Sequence, residues 1–109
     1  MGVKRYTFLK TNSTAGVAER LVLPANDIRT KAFNIQALES NTGFVRVGSS
    51  DTSLTNGIYL EKLDSAQFSN ENYADTQAES RLSQVYLVAS QNGEGVIVTY
   101  ELGDDLEHT

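Results

Sequence analysis

The stretch RTKAFNIQALESNTGFVRVG, residues 29–48, decides the fold class. From Ala32 to Ala37 apolar and polar residues alternate: Phe33, Ile35 and Ala37 fall on one side, Asn34 and Gln36 on the other. Successive side chains of a strand point to opposite faces, so this pattern is a half-buried strand and not a helix. Asn41-Thr42-Gly43 is a turn signal, because Asn bonds its own backbone and Gly accepts angles that other residues resist. The alternation then resumes, with Val45 and Val47 inward and Phe44 and Arg46 outward. Residues 31–38 and 43–48 are therefore expected to pair as an antiparallel hairpin.

The same rhythm runs outward in both directions, with turn signals about every eight to twelve residues. Arg5 to Leu9 reads as a strand with Tyr6 and Phe8 on its core side, and Val17 to Leu23 as another, ended by Pro24, which has no N–H for a ladder. Ile58 to Leu63 follows the turn Asn56-Gly57. Leu82 to Ala89 and Val96 to Leu102 read as a second hairpin across Gln91 to Gly95, with Gly93 and Gly95 supplying left-handed turn positions. Val85-Tyr86-Leu87-Val88 is apolar on both faces, as in a central strand or one covered by a partner. The expectation is one all-β domain over residues 1–109: an antiparallel β-sandwich, jelly-roll-like, with roughly seven or eight strands.

Two segments depart from the pattern. Residues 64–81 are long for a connection in so small a domain and carry Phe68 and Tyr73 among polar and acidic neighbours. They are expected to form a contact arm, with Tyr73 as its anchor. Residues 103–109 form an acidic tail.

Composition removes most chemistry. The 109 residues hold no cysteine and a single histidine, His108, close to the end of the sequence. Disulfides, zinc–thiolate sites and cysteine nucleophiles are excluded, and no serine has a plausible base or a nucleophile elbow. The net charge of -5 argues against a nucleic-acid partner, which would need clustered Lys and Arg. No apolar run is long enough to cross a membrane as a helix, and no leader-like stretch follows Lys4 and Arg5. Asp51 to Gly57 places oxygen-bearing side chains in one loop but lacks the spacing of a calcium ladder, so it reads as a plain turn-rich loop. Gly93 and Gly95 lack the third glycine and following helix of a dinucleotide site. No cofactor and no metal are expected, and the chain is not expected to be an enzyme.

Charge is divided along the chain. Residues 1–50 hold seven basic and three acidic side chains, and residues 51–109 two and eleven, giving +4 and -9. Strands from the two halves either interleave and neutralise one another, or leave a polarised surface that orients subunits. The candidate interface residues are Phe44, Arg46, Tyr59, Phe68 and Tyr73, since aromatics and Arg are what interfaces enrich. The neighbours of Phe44, Tyr59 and Tyr73 suggest exposure, whereas Phe68 is assigned to local packing.

Three stretches resemble small structural proteins of tailed-phage virions. The first is Arg29 to Ala37 followed by Asn41 to Gly48, similar to that family's "R-x-x-x-F-x-I-Q-A … N-T-G-x-V-x-V-G". The second is Asn56-Gly57-Ile58-Tyr59-Leu60, similar to "N-G-I-x-L". The third is Leu82 to Ala89 with Gly95 to Tyr100, similar to "L-S-x-V-Y-x-x-A … G-V-x-V-x-Y". Together they span residues 29–102 in matching order, interrupted by what resembles an insertion at Asn70 to Ser80. The resemblance implies a β-sandwich or jelly-roll protein that decorates, cements or staples the capsid, with the major capsid protein as partner. It supplies no catalytic residue. It implies residence on the virion surface after assembly in the host cytoplasm. Two-sided apolar strands and the charge split add self-association as a homodimer or homotrimer. The alternative function is a carbohydrate- or receptor-binding module of a virion.

Overall fold

Alternation at residues 32–37 becomes a strand whose Phe33, Ile35 and Ala37 are all buried. A computed structural model describes residues 3–69 and 80–103. Its strands are β1 (Val3–Thr11), β2 (Glu19–Arg20), β3 (Arg29–Thr30), β4 (Ala32–Ala37), β5 (Val45–Gly48), β6 (Ile58–Leu60), β7 (Ser65–Ser69), β8 (Ser80–Arg81), β9 (Tyr86–Ala89) and β10 (Gly95–Gly103). Two short 3-10 turns, Pro24–Asn26 and Leu82–Gln84, complete the regular structure. Residues 70–79, which include Tyr73 and most of the expected contact arm, lie outside the described residues, as does the tail from 104 onward.

Eight of these strands form two antiparallel sheets, ordered β1-β10-β4-β7 and β2-β9-β5-β6. The pairing is nested: β1 with β10, β2 with β9, β3 with β8, β4 with β7 and β5 with β6. The chain is thus one long hairpin, folded at the β5–β6 connection. It is rolled until β10 meets β4 and β9 meets β5. This is the jelly-roll order, and the eight-stranded sandwich agrees with the expected fold class. The two-residue β3–β8 pair is the rung where the hairpin passes from one sheet to the other.

Both expected hairpins are incorrect. β4 pairs with β10 and β7, not with β5, and β9 pairs with β2 and β5, not with β10. The connections 38–44 and 90–94 cross between sheets, so strands adjacent in sequence face one another across the core. The crossings are fastened by side chains. Asn41, 4% exposed, donates to Gly95 O at 2.9 Å and accepts from Gly95 N at 3.2 Å. Glu94 accepts from Thr42 N, Thr42 Oγ1 and Gly43 N. Burial opposes ionisation of Glu94, but these donors outweigh it and hold its carboxyl below the usual range.

The core is a set of rows running across the first sheet. Register aligns Tyr6, Tyr100, Phe33 and Phe68 in one row, and Phe8, Val98, Ile35 and Ala66 in the next. Tyr6 stacks on Tyr100 at 5.4 Å and Phe33 on Phe68 at 4.7 Å. Val45, Val47, Leu60, Leu87 and Ala89 close the core from the second sheet. Tyr6, expected in the core, is 40% exposed, because the four-residue and shorter strands of the second sheet do not extend beneath it. The expected strand 17–23 shrinks to Glu19–Arg20. Gly95 does not have the expected left-handed angle, whereas Gly93 does, at φ 79°.

The 12–18 connection is held by a second buried amide. Asn12 accepts from Ala89 N at 3.1 Å and donates to Val17 O at 2.8 Å. Beside it Glu19 receives Ser13 Oγ at 2.7 Å, Lys10 Nζ at 2.9 Å and Ser13 N at 3.0 Å. The Ser13 hydroxyl and the Lys10 ammonium stabilise its charged form, and its pKa is pulled down from 4.5 to about 2. A depressed carboxylate contributes stability that is present above pH 4.5 and is lost as pH falls toward 2. Glu19→Gln should flatten that limb of the acid-denaturation profile, removing about 2–3 kcal/mol of pH-dependent stability. The difference between wild-type and variant urea midpoints across this pH range measures it. Superimposable profiles would refute the assignment.

Candidate functional site

The outer face of the second sheet carries an organised group of side chains, with Tyr59 exposed and Phe44 and Arg46 half-buried. Register sets Arg46 of β5 opposite Tyr59 of β6 and Val88 of β9. Phe44 precedes β5 and is fixed by bonds from its N–H to Ser90 Oγ and from Ser90 N–H to its carbonyl, both 2.9 Å. The Phe44 and Tyr59 rings stack with centroids 4.8 Å apart. The Arg46 guanidinium lies 5.7 Å from the Phe44 ring centre and 5.2 Å from that of Tyr59. A cation beside two ring faces is attracted by their quadrupoles. The guanidinium also donates to Leu54 O at 3.0 Å and Gly57 O at 2.8 Å. It therefore joins the ring pair to the 49–57 loop.

That loop is closed by its own bonds. Asn56 Nδ2 donates to Asp51 O, and Ser49 Oγ donates to the Asp51 carboxylate. The reading of residues 51–57 as a turn-rich loop agrees with this arrangement. Among the described residues no group of three or more metal-ligating side chains gathers. Val88 is fully buried yet lies outside the main core cluster. The loops 12–18 and 49–57 meet on its side of the sheet, where a Cβ on Gly16 would lie 3.5 Å from Leu54 Cδ1. The two-sided apolar character of residues 85–88 is thus that of a central strand, flanked by β2 and β5.

A cleft of about 530 Å³ opens beside the ring pair, lined by Thr42, Phe44, Tyr59, Glu61 and Lys62 among others. Tyr59 OH donates to Glu61 Oε2 at 3.0 Å, which holds the phenol protonated above its usual range. The polar atoms here are largely engaged: Thr42 is committed to Glu94 and Glu61 to Tyr59.

Of the five candidate residues, the fold brings Phe44, Arg46 and Tyr59 together. Phe68 lies on the core side of β7, stacked on Phe33 and packed against the buried cluster. Tyr73 lies outside the described residues. The carbonyls of Leu54 and Gly57, which aim Arg46, were not identifiable in advance. Their only signal is the Asn56-Gly57 turn placed one loop after an outward Arg.

Charges interleave. Among the described residues Arg5 meets Glu101 at 2.9 Å and Arg81 meets Asp27 at 3.1 Å across the two halves of the chain, while Lys10 meets Glu19 at 2.9 Å within the first half. The described residues hold all nine basic side chains, while six of the fourteen acidic ones (Glu71, Asp75, Glu79, Asp104, Asp105, Glu107) belong to the two segments outside them. The chain's acidity therefore comes from those segments. Compared with known proteins, the chain matches no protein-family model, no curated protein and no solved structure.

Proposed function

We propose that this chain is a non-enzymatic virion structural protein that binds the outer capsid and stabilises it, with the major capsid protein as partner. The observation that carries the reading is the Phe44–Arg46–Tyr59 group. It is an aromatic and arginine surface, with Tyr59 exposed and Phe44 and Arg46 half-buried, held by bonds to the 49–57 loop and to Ser90. Such side chains dominate binding energy when a partner covers them, because little entropy is lost in ordering groups already fixed. The resemblance of residues 29–102 to virion proteins supports the same role, and the jelly-roll order is consistent with it.

Glycan binding is the competing reading, and one observation disfavours it. A sugar ring needs a free aromatic face, and these rings are engaged by one another and by the Arg46 guanidinium. Addition of the protein to capsids stripped of decoration should give saturable binding at a fixed number of copies per lattice point. Tyr59→Ala should weaken that binding at least tenfold, about 1.4 kcal/mol, while leaving the thermal midpoint near wild type, since Tyr59 is 45% exposed. Capsid affinity unchanged by Tyr59→Ala, or binding to a glycan array that this variant abolishes, would overturn the proposal.

A further inference from the structure

The edge of the first sheet is open at β1. This strand runs nine residues in unbroken register with β10, from Val3↔Gly103 to Thr11↔Gly95. Among the described residues nothing pairs with its other side. The remaining edges are shorter: β7 has five residues, β6 three and β2 two. Folded proteins protect edges with short strands, proline, bulges or charge. β1 has no proline and no bulge, and the charges of Arg5 and Lys10 are already engaged by Glu101 and Glu19. Lys4, Arg5, Tyr6 and Thr7 are all exposed, so both faces of this part of the strand are uncovered.

We propose that β1 pairs antiparallel with β1 of a second copy about a two-fold axis at Tyr6, joining the two first sheets into one eight-stranded sheet. Register selects the axis. Outward and inward faces continue across a two-fold pair only if odd residues meet odd and even meet even. An axis at Thr7 sets Tyr6 opposite Phe8, so the aromatic row that begins at Tyr6 does not meet its own image. An axis at Phe8 moves the partner toward the 12–18 loop, where Lys10 is held by Glu19. An axis at Tyr6 sets Lys4 opposite Phe8 and Arg5 opposite Thr7, with no like-charge pair. It also places the exposed end of an aromatic row on its own image. Tyr6, Tyr100, Phe33 and Phe68 then continue into the same four rings of the partner. The inference does not rest on the capsid reading, because it concerns the free protein.

The chain has no cysteine, so single-cysteine variants report their own positions. Sedimentation of the intact protein should show a reversible shift from the 11.9 kDa monomer to twice that mass as concentration rises. Under mild oxidation Tyr6→Cys should form a disulfide-linked dimer, because residues on the axis meet within bridging distance. Phe8→Cys, and Gln67→Cys on the opposite edge strand, should remain largely monomeric. In the wild type, hydrogen exchange at β1 should slow as concentration rises, a readout that needs no variant to fold. A monomer at every concentration overturns the proposal, as does linkage through Phe8→Cys or Gln67→Cys in preference to Tyr6→Cys, or β1 exchange independent of concentration. No capsid is present in these measurements, so their failure leaves the capsid reading standing and the reverse also holds.

Discussion

Gly95→Ala is expected to destabilise the domain by at least about 3 kcal/mol, more than an ordinary surface change by a wide margin. A Cβ at this position would lie 2.0 Å from Lys10 O, 2.6 Å from Thr11 Cα and 2.9 Å from Lys10 C. All three atoms are backbone, so no flexible side chain can move aside. β1 must separate from the start of β10. That separation is resisted on every side: Gly95 O accepts from Leu38 N at 3.1 Å and Asn41 Nδ2 at 2.9 Å, and Asn12 N donates to Glu94 O at 2.8 Å. Relief of the clash therefore breaks buried hydrogen bonds, and each buried polar group left without a partner costs about 1–3 kcal/mol. Domains of this kind are stable by only about 5–15 kcal/mol, so a large share of the total is lost. Equilibrium urea denaturation of wild type and variant measures the loss. A change below about 1 kcal/mol would show that the crossing yields without cost.

Gly95 also shows what a sequence discloses and what it withholds. Its place beside Gly93 in a polar run marks a turn, and a turn is there. Its requirement comes from the carbonyl of Lys10, which lies 85 residues earlier and leaves no local trace. Asn41 is similar: it reads as a turn former, while its work is to bond Gly95 at the start of β10. Alternation at residues 32–37 and 45–48 identifies which side chains are buried, because burial follows the two-residue period of the strand. It is silent on which strand lies alongside. Both expected hairpins failed for that reason, since a two-residue period is equally satisfied by a neighbour in the same sheet and by one across the core. In a nested roll the partners of β1 are the residues furthest away in sequence, from Gly103 to Gly95.

The candidate site was partly legible in the same sense. Phe44 and Arg46 were placed outward by the inward Val45 and Val47 between and beside them. Their meeting with Tyr59 depends on the register of β6 against β5, which the turn signal at Asn56-Gly57 locates only loosely. Phe68 shows the opposite limit. It stands among the interface candidates yet is assigned to local packing, and the strand alternation turns its ring inward onto Phe33.

Ile35→Ala should cost about 4 kcal/mol, near the upper end for removal of a large aliphatic side chain. Ile35 is fully buried at the centre of the first sheet, between Val98 of β10 and Ala66 of β7. The cost of such a truncation has two parts: the lost transfer energy of the deleted atoms and the cavity that remains. The second part depends on whether neighbours can collapse. Here they cannot. Ala66 and the adjacent inward residue Ala37 are already minimal side chains. Phe33 is held by its stack on Phe68, and Val98 is locked in the central strand between β1 and β4. Lining atoms next to a small void lose their dispersion partners outright. Ile35→Val, which removes one methylene, should cost only about 1 kcal/mol. The ratio of the two losses is the informative quantity. If Ile35→Ala costs no more than about 2 kcal/mol with an unchanged denaturant slope, the second sheet closes onto the gap. The two sheets would then be less firmly joined than the fastenings at Asn41, Asn12 and Glu94 require.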